Sequence, residues 1–380
     1  MLTLIRNGDV YAPEHVGRAS VLLANDRIEA IGSLSTDRIE AAGFQLEVLD
    51  ASDCYVVPGI IDPHAHLLGG SGESGFSTQT PEIFLSELVK GGTTTVVGCL
   101  GVDTTMKTMA GLLAKAIGLQ EEGLTTFVYS GGYDVPPATV LPSVRDDIMF
   151  LTKVIGAGET AISDQRAMEP TARELARVIV DASIGGRLSA KAGVTHFHVG
   201  DAPTRLQVLR EVLDDFQVNA ASIYPSHCNR TPELMDEAIA LSRRGLFIDF
   251  DVAEQNLERD LSDFESRGGD WGRLTISSDA AGVAPGTLLE QLGACIKSRR
   301  WRVEQLLPLT TSNTASVLKL ARKGRVSEGC DADVLILRRD TLAPVHVIAG
   351  GRVLLRDGRL DVSERFLETS NRHVILHGQA

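Results

Sequence analysis

The sequence is short of cysteine, of positive charge and of long apolar runs. Its five cysteines, Cys54, Cys99, Cys228, Cys295 and Cys330, are odd in number and nowhere form a CxxC pair. That argues against a disulfide framework and for a reducing, cytoplasmic setting. No run of about 18 apolar residues occurs, so no membrane-spanning helix is expected. The N-terminal Met-Leu-Thr-Leu-Ile-Arg meets a charge at Arg6 and has no long apolar core, so no signal peptide is read there. The 37 Lys and Arg are outnumbered by 50 Asp and Glu, a net charge of −13. Nucleic acid is not an expected partner, because binding it relies on cations that neutralise phosphates. The acidic balance suits solubility.

What is present is a large potential core. Of the 380 residues 43% are apolar and 23% charged, with 37 glycines. That length fits one barrel of roughly 250 residues plus something smaller. The first 57 residues read as short strands, Leu2–Ile5, Ser20–Leu23, Ile28–Ile31 and Glu47–Asp50, with Asn25-Asp26 as a hairpin turn. After about 323 the same texture returns in Val334–Leu337, Val345–Ala349 and Arg352–Leu355, with Gly350-Gly351 as a turn. Residues 1–57 and 323–380 are therefore expected to build one small β-sandwich domain from both chain ends.

Between them, in 58–322, β-branched runs alternate with helical stretches. The strand candidates are Ile60–His66, Thr94–Cys99, Thr125–Ser130, Ala161–Asp164, Val194–Val199, Ala221–His227, Leu246–Asp249 and Leu274–Ser278. Helical candidates include Pro81–Lys90, Lys107–Glu122, Val144–Val154, Thr171–Ala182, Pro203–Asp215 and Pro232–Arg243. Eight βα units in this order predict an α/β fold, a (β/α)8 TIM barrel, with its site at the C-terminal ends of the strands.

Four histidines and an aspartate fall at those ends. His64 and His66 close the first strand, and residues i and i+2 of a strand point to one side, so both imidazoles can grip one cation. His198 closes the fifth strand, His227 the sixth, and Asp279 follows the eighth. In a barrel all five converge on one cup, which predicts a metal site. His196 shares a side with His198 one layer lower and is read as packing.

Pro58-Gly59-Ile60-Ile61-Asp62-Pro63-His64-Ala65-His66, the strand-8 Asp279 and the late Gly329-Cys330-Asp331-Ala332-Asp333-Val334 resemble the amidohydrolase superfamily. Within it the chain looks most like isoaspartyl dipeptidase. The shared stretches include Gly69-Gly70-Ser71-Gly72-Glu73, Gly132-Tyr133-Asp134-Val135-Pro136, Ala161-Ile162-Ser163-Asp164-Gln165-Arg166 and His227-Cys228-Asn229-Arg230. The resemblance implies a metal-dependent hydrolase that cleaves the amide of a β-aspartyl dipeptide. His64, His66 and Asp279 would bind one divalent cation, zinc first among candidates, and His198 and His227 another. Asp279 would take the proton from a metal-bound water and pass it to the leaving amine. Tyr133 would stabilise the oxyanion, Glu73 would hold the substrate's amino group, and Arg166 and Arg230 its carboxylates, for which Arg is the suited residue. The family's habit of assembly implies a homo-oligomer.

The chain departs from this pattern at the bridge between the cations. Where the family has a carboxylated lysine, this sequence has Glu159. The nearest lysine, Lys153, lies six residues earlier in a helical stretch and cannot substitute. Glutamate needs no CO2 but is shorter by three bonds, so a Glu159 bridge requires the strand to move inward or the metals to sit deeper. The alternative is a single cation with Glu159 outside the ligand set. Val102 and Val283 stand where Thr and Ser are expected, which leaves a less polar pocket. Two other readings compete. One is a different amidohydrolase, acting on N-acyl amino acids or cyclic amides. The other is a catalytically silent binding module.

Overall fold

The computed structural model describes residues 2–34, 43, 45–253, 255–368, 370 and 371. Both chain ends feed one nine-stranded sheet. From the N-terminus come β1 (Leu2–Tyr11), β2 (His15–Ala24), β3 (Arg27–Gly32), β4 (Leu46–Asp50) and β5 (Cys54–Pro58). Eight barrel strands follow: β6 (Ile60–Ala65), β7 (Thr93–Gly98), β8 (Thr125–Ser130), β9 (Val154–Ile162), β10 (Val194–Val199), β11 (Ile223–Pro225), β12 (Ile248–Asp251) and β13 (Leu274–Ser277). Then β14 (Val334–Arg338), β15 (Pro344–Ala349), β16 (Arg352–Arg356) and β17 (Arg359–Leu360) return to the terminal sheet. Its order is β17-β16-β15-β14-β5-β1-β2-β3, with β4 on β1. The seam between the two ends is β14 on β5, antiparallel, with Ile336 opposite Val56. A cluster of its own, with Ile5, Val21 and Val56 from one end and Val334, Ile336 and Ile348 from the other, forms this sheet's core. The tail from 372 lies outside the described residues.

The barrel strands pair in parallel from β6 to β11 and again as β12 with β13. The circle closes through Cys228 N–H donating to Asp249 O (3.1 Å) on one side. On the other, Asp279 N–H donates to His64 O (3.0 Å) and His66 N–H to Ala280 O (2.9 Å). Seven of the eight strands are buried along their length and β8 is partly buried only at Thr125 and Phe127, as strands covered on both faces should be.

Eight helices return the chain: α1 (Leu85–Lys90), α2 (Met109–Glu121), α3 (Val144–Phe150), α4 (Ala172–Ser189), α5 (Gln207–Asp215), α6 (Pro232–Ser242), α7 (Leu257–Ser266) and α8 (Thr287–Ser298). Their starts are written locally. Thr108, Ser143, Thr231 and Asn256 each accept a backbone N–H three residues on, and Thr171 forms a capping box with Glu174. The architecture is thus the expected TIM barrel with an added β-domain from the chain ends.

Several boundaries differ from the sequence reading, the helix expected at Thr171–Ala182 running on to Ser189 among them, and three have a clear physical reason. The fourth barrel strand is expected at Ala161–Asp164 but runs from Val154 to Ile162, so Glu159 lies inside it. Gly156 and Gly158 make this stretch look like a turn. They are there because β10 comes close: a Cβ on Gly156 would sit 2.5 Å from Val194 O, and one on Gly158 2.5 Å from His196 O. The third helix ends at Phe150, which leaves Lys153 in the turn before β9 rather than in a helix. There its ammonium donates to Thr126 O (3.1 Å). The first helix starts at Leu85, not Pro81, with Glu87 closing a capping box on Phe84 N.

Candidate metal centre

The six expected ligand residues meet at the C-terminal mouth of the barrel. Glu159 is at the middle. Its Oε1 lies 2.9 Å from His198 Nδ1 and 3.3 Å from His227 Nε2. Its Oε2 lies 3.4 Å from His64 Nε2 and 3.7 Å from His66 Nε2. Asp279 Oδ1 approaches the same two nitrogens of His64 and His66, at 3.3 and 3.2 Å. Cys99 is close as well, its sulfur 3.7 Å from His66 Nδ1, and His64, His66, Cys99 and Glu159 each offer a ligand atom within 4.8 Å of the others. Asp279 Oδ1 lies nearer to His66 than the thiol does, and groups with His227 and Asp251 as well.

The local path of the strand brings Glu159 to the four histidines. Along the β9–β10 ladder Thr195 pairs with Ala157 and Phe197 with Thr160, so Gly158 and Glu159 together oppose His196 alone. This extra residue bends a strand and re-aims its side chains, and here it turns Glu159 into the barrel. His227 and Asp279 are held with φ of 61° and 49°. That left-handed backbone costs an ordinary residue about 1–2 kcal/mol and tends to collect at functional sites.

The donor set fits divalent cations. His64 Nε2 and Glu159 Oε2 are buried and make no hydrogen bond, although they face one another. Buried lone pairs left unmatched are costly, and a cation between them would satisfy both. The electrostatics agree. Burial pushes the Glu159 carboxyl up, but the His64 and His198 imidazoles and the hydrogen bonds from His198 and His227 hold it well below the usual carboxylate range. Asp279 is likewise held low, against its burial, by His64, His66 and His227. Both carboxylates are thus ionised at neutral pH, the state a cation requires.

Outer partners orient the rings. Asp251 Oδ2 lies 2.8 Å from His227 Nδ1, Asp164 Oδ2 3.0 Å from His198 Nε2, and Ser226 Oγ 3.2 Å from His64 Nδ1. Asp62, fully buried, accepts from Ser278 N and Oγ and from His64 N, and so ties β6 to β13. None of these four roles is read from the sequence; an acidic residue inside or just past an apolar strand is the signal available. His196 is packing, as expected: it is buried beneath the centre against Tyr129, Tyr224 and His64, with ring centroids 4.7–5.0 Å away.

The expected substrate groups ring the mouth. Tyr133 Oη is 2.9 Å from His198 Nδ1. Burial and the nearby Glu159 charge keep this phenol well above its ordinary pKa, so it carries its proton. Arg166 Nη1 donates to Glu73 Oε1 at 2.6 Å, which joins the loop after β6 to the loop after β9. Arg230 Nη1 donates to Val199 O (2.6 Å) and lies 3.3 Å from His198 Nε2. Val102 is exposed on the loop after β7, and Val283 lines an open groove of about 1130 Å³ between the loop after β13 and Thr80–Phe84.

Residues 55–354 match the model of the amidohydrolase family. The chain belongs to the amidohydrolase family. An amidohydrolase is a hydrolase acting on amide bonds, and the family depends on metal. The structure superposes on the β-aspartyl dipeptidase of Fervidobacterium islandicum AW-1 with a TM-score of 0.91 and 34% identity, over 96% of this chain and 99% of that one. A second structure of that enzyme, in complex with β-Asp-Leu dipeptide, gives 0.89 and 32% over the same shares. Among curated relatives, the D-hydantoinase of Geobacillus stearothermophilus is 36% identical over 103 residues, which is 26% of this amidohydrolase and 19% of that protein. No helix among the described residues is long and apolar enough to cross a membrane.

Proposed function

We propose that this amidohydrolase cleaves β-aspartyl dipeptides at a centre for two divalent cations, bridged by Glu159. The observation that carries the reading is the Glu159 carboxylate, one oxygen toward His198 and His227 and the other toward His64 and His66. Cations bound there, zinc first among candidates, would polarise the amide carbonyl and acidify the attacking water. Asp279, its side chain 20% exposed at the mouth, accepts the proton of that water and hands it to the leaving amine. Tyr133 donates a hydrogen bond from its hydroxyl to the carbonyl oxygen as charge builds there, and keeps its proton. Glu73 takes the substrate's ammonium, and Arg166 and Arg230 its carboxylates.

The whole-chain likeness to a β-aspartyl dipeptidase supports this choice of substrate. The separate apolar cluster of the terminal sheet supports residues 1–57 and 323–380 as a domain distinct from the barrel 58–322. All five cysteines are free, which suits a reducing cytoplasm. The test is metal content per chain, by elemental analysis on protein purified without added metal, with β-Asp-Leu hydrolysis on the same sample. Two cations per chain and turnover are expected. Hydrolysis of an N-acetylated substrate in preference to the free dipeptide would point instead to a deacylase.

A further inference from the structure

We propose that Asp164 is a positioning residue that couples cation binding to substrate binding, one carboxylate setting both the His198 imidazole and the Arg166 guanidinium. The inference rests on the two-cation reading above. Asp164 lies two residues past β9 and is 8% exposed. Its Oδ1 accepts from Arg166 Nε (2.8 Å) and from Arg166 N (2.8 Å). Its Oδ2 accepts from Arg166 Nη2 (2.7 Å) and lies 3.0 Å from His198 Nε2. The grip on Arg166 is bidentate, the geometry in which a guanidinium plane is fixed as well as paired.

The proton on His198 follows from its neighbours. An imidazole that gives its Nδ1 lone pair to a cation carries hydrogen on Nε2. Three groups face that nitrogen: Asp164 Oδ2 at 3.0 Å, Arg166 Nη2 at 3.2 Å and Arg230 Nη1 at 3.3 Å. Guanidinium nitrogens only donate, so the acceptor is Asp164. The aspartate thus holds the ring in the tautomer and rotation that turn Nδ1 toward Glu159.

The same carboxylate decides what Arg166 has left to offer. With Nε and Nη2 engaged by Asp164, Nη1 is the nitrogen that points outward, where it meets Glu73. The position of Asp164 is fixed from the neighbouring strand as well. Gly200, two residues after His198, lies so close that a Cβ there would be 2.5 Å from Asp164 Cβ. The metal-facing histidine, the carboxylate and the outward arginine form one rigid line from the barrel centre to its mouth.

The test uses the full-length zinc-loaded chain and three variants: Asp164→Asn, Asp164→Glu and Arg166→Met. Zinc affinity is read by competition with a chromogenic chelator, and KM and kcat with β-Asp-Leu. Asp164→Asn is expected to weaken zinc by about 10–100-fold and to raise KM as well. Arg166→Met is expected to raise KM while zinc affinity stays within about twofold of wild type. Asp164→Glu moves the carboxylate by one bond and is expected to weaken both properties, each by less than Asp164→Asn. Zinc affinity unchanged in a folded Asp164→Asn chain, or an equal loss in Arg166→Met, would overturn the proposal. If Asp164→Asn does not fold, wild-type values of both properties in Asp164→Glu do the same. A wild-type chain that binds zinc but leaves β-Asp-Leu intact refutes the substrate reading alone, and the chelator competition still decides the role of Asp164.

Discussion

The Glu73 carboxylate and the Arg166 guanidinium are 2.6 Å apart, so the groups proposed to hold a substrate's amine and carboxylate pair with each other. Their side chains are 58% and 29% exposed. A pair that open to water is worth at most about 1 kcal/mol, so a zwitterionic substrate can separate the two at small cost and satisfy both. Glu73→Gln is expected to raise KM for β-Asp-Leu about tenfold, the loss of ~1.5 kcal/mol of charged hydrogen bonding. An amino-blocked analogue should not distinguish the variant from wild type. Equal effects on both substrates in steady-state kinetics would remove Glu73 from amine recognition.

Glu159→Gln keeps the size of the side chain and removes the charge that both histidine pairs face. Metal content is expected to fall to one cation per chain or fewer, with activity falling in step. Elemental analysis beside the hydrolysis assay reads this. Full metal content in the variant would show that Glu159 is not a bridge.

Tyr133→Phe removes one hydroxyl from beside His198. A lost oxyanion donor costs about 10²–10³ in kcat. KM and metal content are expected to stay near wild type, because the phenol is aimed at charge that develops during the reaction. A change confined to KM would instead make Tyr133 a binding residue.

Lys153 gives a pH-dependent prediction away from the site. Burial lowers its pKa from 10.5 to about 8. Between those values the unfolded chain binds more protons than the folded one, so this lysine makes stability rise as pH increases from about 8 to 10.5. Melting temperatures measured across that window should rise less steeply in Lys153→Met. An identical slope in both proteins would exclude the lysine as a cause.

The barrel and the gathering of His64, His66, His198, His227 and Asp279 at its mouth are legible in the sequence because each follows from a local pattern. The strand-end His64 and His66 need only a period of two, and the helices show as longer stretches between β-branched runs. The start of β9 is not legible, because Gly156 and Gly158 are required by the closeness of β10, a contact between segments about 40 residues apart. For the same reason the bulge opposite His196, which brings Glu159 among the four histidines, cannot be read from the sequence. Asp164 and Asp251 stayed without a role because their partners, His198 and His227, lie on other strands.

The seam where β14 lies on β5 also sets an order of events in the cell. Synthesis runs from the N-terminus, and domains fold as they emerge. Val56 appears 280 residues before its partner Ile336. Throughout the making of the barrel, the β5 edge has no β14 to cover it, and an open edge is a template for foreign strands. The strands from β14 onward therefore act as a lock, turned only after the whole barrel has been made.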